Sequence, residues 1–181
     1  MNVYIALLRG INVGGRKVIL MADLKRVFEN LGFPKVTTYI QSGNVIFRSE
    51  KKSELELENR INSGIKRSFH FDVKVIVKDL NEIAEIVRRN PFQEKELKPG
   101  EKIYFTLLYQ KPANERITDL NKTRNDIDGF QVIDRTVYIL CRKGYGKTLY
   151  NNNFIEKVLK VDATSRNLET MKKLTEIGNS L

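Results

Sequence analysis

The sequence has one cysteine, Cys141, and one histidine, His70. A lone cysteine excludes a disulfide scaffold and a cysteine-based zinc site. A lone histidine excludes a histidine cluster and leaves little for a Ser-His-Asp system. His70 lies in SFHFD, between apolar neighbours at a helix-to-strand junction, where packing explains it better than catalysis. Cys141 alternates inward with Val137 and Ile139 and reads as an inert core thiol. No spacing of ligating side chains suits a metal. Long hydrophobic runs are also missing. VYIALL at Val3–Leu8 is too short to span a bilayer, and no basic stretch precedes it, so a soluble, cytoplasmic protein with no membrane partner is expected.

Apolar residues make up 41% of the 181, enough to bury a core, and the formal net charge is +10. That charge is uneven. Residues 1–48 hold seven Lys/Arg against two acids, and residues 135–181 nine against four, while residues 49–134 balance at sixteen each. Two basic blocks around a neutral centre suit solubility alone, or a field that attracts phosphate, nucleotide or nucleic acid. The second view expects the blocks to converge on one cleft between the halves.

Val3–Leu8 is apolar on both alternating faces and predicts a strand covered on both sides. Leu24, Val27, Phe28 and Leu31 repeat at helical spacing before Gly32. Val36–Ile40 and Val45–Arg48 read as strands joined by a tight turn at 41–44. The capping box Ser53…Glu56 opens a helix that buries Leu57, Ile61 and Ile65 and presents Glu54, Glu56 and Glu58 to solvent. Val73–Lys78 then alternates, with Val73, Val75 and Val77 inward and Lys74 and Lys78 outward. This order of strand, helix, two strands, helix, strand is a split β-α-β, ferredoxin-like plait. Asp79 and Glu82 cap a further helix that stops at Asn90-Pro91. The charged, proline-flanked stretch 91–101 is a linker between an α+β half at 1–90 and a second at 102–181.

The second half follows the same plan: a strand at Ile103–Tyr109, a helix after Pro112, a hairpin of Phe130–Ile133 with Thr136–Cys141, and a helix near 153–160. Its last strand is not predicted. Ser165–Ile177, with Leu168, Met171 and Leu174 on one face, reads as an extra C-terminal helix, so the second plait is expected to be incomplete.

A plait has strand order 4-1-3-2, so the loop leaving the first strand and the turn leaving the second meet at one edge. That edge would hold Arg9, Asn12, Gly14, Gly15, Arg16, Lys17, Gln41, Ser42 and Asn44, which are rich in donors and include no acid. Glycines there open the backbone to a ligand, and a helix start just beyond favours anions. Read singly, Gly14-Gly15 and Ser42-Gly43-Asn44 are chain turns; read together they form an anion-binding edge. The loop is not a dinucleotide fingerprint, because Gly10 to Gly15 lacks the G-x-G-x-x-G spacing. Gly144–Thr148 ends in GKT, but Cys141 stands where a phosphate loop needs its first glycine. The tyrosines of the second half, Tyr104, Tyr109, Tyr138, Tyr145 and Tyr150, suit packing better than base stacking, since the usual aromatic strand signature is missing.

YIALLRGINVGG at 4–15, TYIQSGNVIF at 38–47, NPF at 90–92 and ATSRNLETMKKL at 163–174 together resemble a bacterial family catalogued as a domain of unknown function, number 1697. The resemblance implies a two-part α+β fold of plait-like halves and no established reaction, substrate or cofactor. It adds Thr164, Arg166 and Asn167 to the candidate ligand-binding residues. Where the family often carries an aromatic after the RN pair this chain has Leu168, so base stacking is not expected there. By residue chemistry, Thr164 and Ser165 would cap the last helix and put Arg166 in its first turn, an unfavourable place for a cation unless it helps hold an anion. Pairing of Arg166 with Asp162 or Asp128 is the other reading.

Three functions remain. The favoured one is a non-catalytic binding module for nucleic acid or another phosphate-bearing ligand. The second is an enzyme on a small phosphorylated or nucleotide substrate, working by orientation and electrostatics through Arg9, Lys17 and Arg166. The third is a structural or oligomer-forming protein, for which a homodimer is the expected partner. No general base is evident, and no cofactor is assigned.

Overall fold

A run that is apolar on both faces is stable only as a covered central strand. The run at 3–8 is one. In the computed structural model, which describes residues 1–50 and 53–181, β1 spans Asn2–Leu8, and Tyr4 to Leu8 are each at most 2% exposed. The chain divides into two units, residues 1–85 with 172–181, and residues 86–171. Each carries a four-stranded antiparallel sheet, and among the described residues six α-helices complete an α+β fold.

In the first unit β1 is followed by α1 (Met21–Asn30), β2 (Thr37–Tyr39), β3 (Asn44–Ser49), α2 (Glu54–Phe69) and β4 (Val75–Asp79), and the sheet order is β2-β3-β1-β4. Helix α1 ends where Gly32, at φ +78°, turns its N–H back to the Glu29 carbonyl. Helix α2 starts at Ser53, whose hydroxyl accepts from the Glu56 N–H, and ends at His70 in a left-handed conformation. Leu24, Phe28, Leu57, Ile61 and Ile65 are all fully buried against Phe47, Val75 and Val77. Burial of each such side chain contributes roughly 1.5–3 kcal/mol.

Two surface assignments need correction. Lys78, expected outward, is 3% exposed. Alternation assumed water on the second face of the sheet, but Ile5, Leu7, Ile46 and Ile76 on that face are buried too. The enclosed ammonium is neutralised by Glu54 Oε2 at 2.8 Å and Glu82 Oε1 at 2.6 Å. The acids of α2 are therefore not a uniformly solvated face. Glu54 pairs with Lys78, and Glu58 Oε1 accepts the Val77 N–H at 2.9 Å, closing an edge-strand donor. Burial, and a hydrogen bond with Glu82, hold the Glu54 carboxyl above its usual value.

Helix α3 (Leu80–Arg88) opens with Asp79 Oδ1 accepting the Glu82 N–H at 2.8 Å, as its sequence indicated. After a 3₁₀ turn at Glu94–Glu96 come β5 (Lys102–Leu108), α4 (Asn114–Asn121), β6 (Gly129–Ile133), β7 (Thr136–Cys141), α5 (Asn152–Leu159), β8 (Ala163–Asn167) and α6 (Leu168–Asn179). The second sheet is ordered β6-β7-β5-β8. The strand that was not predicted is β8, which pairs with β5 from Leu108↔Ala163 to Tyr104↔Asn167. The periodicity of Leu168, Met171 and Leu174 is helical, but Thr164–Asn167 goes to the open side of β5 instead. The helix begins at Leu168, capped by Asn167, whose Oδ1 accepts from the Thr170 N–H at 2.8 Å. Thr164 and Ser165 are thus strand residues and not caps. Among the described residues no helix is long and apolar enough to cross a membrane.

Candidate functional site

The loop after β1 and the turn between β2 and β3 meet in the first unit. The Leu8 N–H donates to the Gly43 carbonyl at 2.8 Å, placing the turn beside the start of the loop. Only glycine fits at 43. Its φ is +76°, and a Cβ there would lie 2.7 Å from Ile11 Cδ1 and 2.8 Å from Leu8 Cβ. Asn12, itself at φ +57°, joins the two segments. Its Nδ2 donates to the Gln41 carbonyl at 2.8 Å and to the Ile19 carbonyl at 3.0 Å, while its Oδ1 accepts the Ile19 N–H at 2.8 Å.

Between Asn12 and Lys17 the chain forms a small protruding hairpin. The Arg16 N–H donates to the Val13 carbonyl at 3.1 Å, and Gly14 and Gly15 have φ of +58° and +72°. Two positive φ values at the centre of a two-residue loop are a type I′ turn. Nothing lies within 4 Å of where a Cβ on either glycine would sit, so this backbone is open. Lys17 Nζ donates to the Asp72 carbonyl at 2.6 Å. Asn44 is fully buried, and its Nδ2 donates to the Tyr39 carbonyl at 2.9 Å and the Ser42 hydroxyl at 3.0 Å. Gly14, Gly15, Arg16, Lys17 and Gln41 are exposed, and Arg9 and Ser42 are half-buried.

The cluster thus brings together every first-unit residue selected from the sequence, but with unequal chemistry. The amides of Asn12 and Asn44 are committed to shaping the loops. What is exposed is the hairpin backbone, Arg16, Gln41 and Lys17, whose ammonium is held by the Asp72 carbonyl, with Arg9 half-buried beside them. Two participants went unnoticed in the sequence: the Asp72 carbonyl, which no residue type announces, and the exposed aliphatics around the hairpin, signalled only by the run Val18-Ile19-Leu20.

In the second unit Thr164 and Arg166 are buried. Arg166 Nη1 donates to Thr164 Oγ1 at 2.9 Å and to the Ser165 carbonyl at 2.8 Å. Arg166 therefore sits in a strand and not in the first turn of a helix, and burial brings its guanidinium down to about 10. Asp128 Oδ1 accepts the Arg142 N–H. Beside Arg166 in sequence, the Ser165 hydroxyl lies 2.7 Å from Thr106 Oγ1 and donates to Asn152 Oδ1 at 3.1 Å. Asn152 in turn donates its N–H to the Tyr145 hydroxyl, whose ring packs on Tyr104 with centroids 4.3 Å apart. This chain fixes the Gly144–Thr148 loop to the sheet. Tyr138 and Tyr150 are core residues, 1% and 0% exposed. Cys141 is fully buried, and burial pushes its thiol up to about 11.

Three comparisons place this geometry among known proteins. No curated protein matches the chain. A conserved bacterial protein from Streptococcus pneumoniae has a similar solved structure, with a TM-score of 0.77 over 98% of both chains at 21% identity, and therefore shares the fold. Residues 1–138, which include the whole loop cluster, match the family described as protein of unknown function (DUF1697). The ATSRN segment of β8 lies beyond that match. The chain belongs to the DUF1697 family.

Proposed function

We propose that this protein is a non-catalytic binding module for an anionic, phosphate-bearing ligand such as a nucleic acid, in the cytoplasm, on two ferredoxin-like plaits. The observation that carries the reading is the Asn12 Nδ2 bond to the Gln41 carbonyl at 2.8 Å. It joins two acid-free segments into one preorganised surface bearing Arg9, Arg16 and Lys17. Phosphate oxygens would be met by these cations, by Gln41 and Ser42, and by the open backbone of Gly14 and Gly15. Asn12 and Asn44 hold that surface in shape. Thr164, Arg166 and Asn167 enter the reading through the family resemblance, with Arg166 as the cation.

Fluorescence anisotropy of short labelled RNA and DNA tests it. A binder that contacts several phosphates weakens by orders of magnitude between about 50 and 200 mM salt. Arg9→Ala and Arg16→Ala should each reduce affinity and flatten the salt slope, and Arg166→Ala reports whether the second unit takes part. Absence of binding at low salt removes nucleic acid, and a thermal-shift series with inorganic phosphate and pyrophosphate then decides whether any phosphate ligand remains.

A further inference from the structure

The loop cluster has a second property that phosphate binding does not require. Val13, Val18, Leu20 and Ile40 are 66%, 62%, 66% and 48% exposed, although large aliphatic side chains are ordinarily covered. They are held together by one side chain. Asn12, next to Val13, bonds both backbone groups of Ile19 and the carbonyl of Gln41. Val18 and Leu20 flank Ile19, which is 2% exposed, so burial of the middle residue turns its neighbours outward. Ile40 precedes Gln41.

Ile40 carries an independent sign. Its φ is +48°, a region that β-branched side chains avoid. Glycine at this position would remove both the backbone strain and the exposed aliphatic surface. An isoleucine here is unfavourable on both counts for the isolated fold, and what it provides is an apolar side chain in the open.

We propose that this face docks an acidic polypeptide segment bearing aliphatic side chains. Charge complementarity selects the occupant: residues 9–20 hold Arg9, Arg16 and Lys17 and no acid. Aliphatic contacts at Val13, Val18, Leu20 and Ile40 supply apolar burial, and the cations select against basic partners. A rigid, hydrogen-bonded platform suits a partner of defined shape. A lipid surface is the weaker fit, because membrane-interface loops draw on Trp and Tyr, and residues 9–20 contain no aromatic.

The test is a random dodecapeptide display library panned on the full chain, with counter-selection on V18S/L20S, which leaves the charge unchanged. Enriched peptides should combine Asp or Glu with Leu, Ile or Val. A synthetic consensus peptide should bind V18S/L20S at least tenfold more weakly than wild type, and Ile40→Gly should weaken binding while raising the melting temperature. Oligonucleotide anisotropy on V18S/L20S should change less than twofold, so that failure of this inference and failure of phosphate binding are read separately. The proposal is overturned by no enrichment, by enriched peptides that are basic or lack aliphatics, or by equal binding to V18S/L20S. It is also overturned if vesicles with 30% phosphatidylglycerol recruit wild type but not V18S/L20S, or if sedimentation shows that the face joins two copies of the chain.

Discussion

The two units repeat one frame, down to individual hydrogen bonds. In the first, the Leu8 N–H meets the Gly43 carbonyl and the Arg9 N–H meets the Lys74 carbonyl. In the second, the Leu108 N–H meets the Arg135 carbonyl and the Tyr109 N–H meets the Asp162 carbonyl. The edge strands pair in the same register, so that Lys78 and Arg166 occupy equivalent positions in their own sheets, as do Asp79 and Asn167. Asp79 and Asn167 each cap the helix that follows. Each edge is closed by a glutamate of the preceding helix, at positions two residues apart in register: the Val77 N–H by Glu58 and the Ala163 N–H by Glu156. The differences lie in helix length, with 16 residues in α2 against 8 in α5, at strand ends and in the treatment of polar groups. Residues 9–20 form a pinned loop with a hairpin where the second unit has only the short connection 109–113. Ala6 and Val77 are replaced in register by the hydrogen-bonded pair Thr106 and Ser165. A shared frame with divergent loops is how one fold carries distinct sites.

The strongest way to break the comparison is at the turn. Gly43→Ala meets both positive φ and contact with Ile11 and Leu8, and should destabilise by about 3 kcal/mol in urea unfolding. At the matching position, Arg135→Ala should change stability by less than about 1 kcal/mol. Equal effects would mean that the glycine requirement does not distinguish the two turns.

The buried cations give the next largest difference. Lys78→Met leaves Glu54 and Glu82 without their ammonium and should destabilise by about 2–3 kcal/mol at pH 8. Glu54 is a carboxyl already raised by burial, so the fold loses stability as pH climbs past the group's ordinary value and Glu54 is forced to ionise. The Lys78→Met penalty should therefore shrink as pH falls from 8 to 5. Arg166→Met removes a guanidinium that bonds Thr164 Oγ1 and the Ser165 carbonyl but whose burial disfavours its charge, and should cost less than Lys78→Met. Matching losses would erase the distinction between the two positions.

Cys141 belongs to the second unit alone. Its thiol is raised to about 11 in the fold from an ordinary value of 9.0, so the unfolded chain releases its proton first. Stability should fall by about 2 kcal/mol as pH rises from 9 to 11, and Cys141→Val should flatten that slope. The smallest effects concern the edges. Glu58→Ala and Glu156→Ala should each cost about 1 kcal/mol and speed hydrogen exchange at Val77 and Ala163 respectively, leaving the other edge unchanged.

Much of the frame is legible because local signals and packing agree. The doubly apolar 3–8 run, the Ser53 cap with Glu56, and the two-residue turn at Asp134-Arg135 each specify their element without help from the rest of the chain. Where local and tertiary forces conflict, the sequence misleads. Thr164–Asn167 leads straight into a helical repeat and looks like its start, yet the open side of β5 takes it as a strand. Lys78 fits a half-exposed alternation, and only the covering of the second sheet face turns it inward. For the candidate site, topology alone brings residues 9–17 to residues 41–44. It does not distinguish cations that face outward from amides that build the platform, because that depends on Asn12 adopting φ +57°, a choice its residue type permits but does not dictate.

The division of the chain has a consequence for its biosynthesis. The second unit is one uninterrupted segment, residues 86–171, whereas the first is completed only by residues 172–181. On the ribosome the first four strands emerge early, yet their unit stays unfinished until the second unit has been made in full. The later-made unit is therefore the first whose residues are all present, while the earlier one still lacks the contacts of residues 172–181.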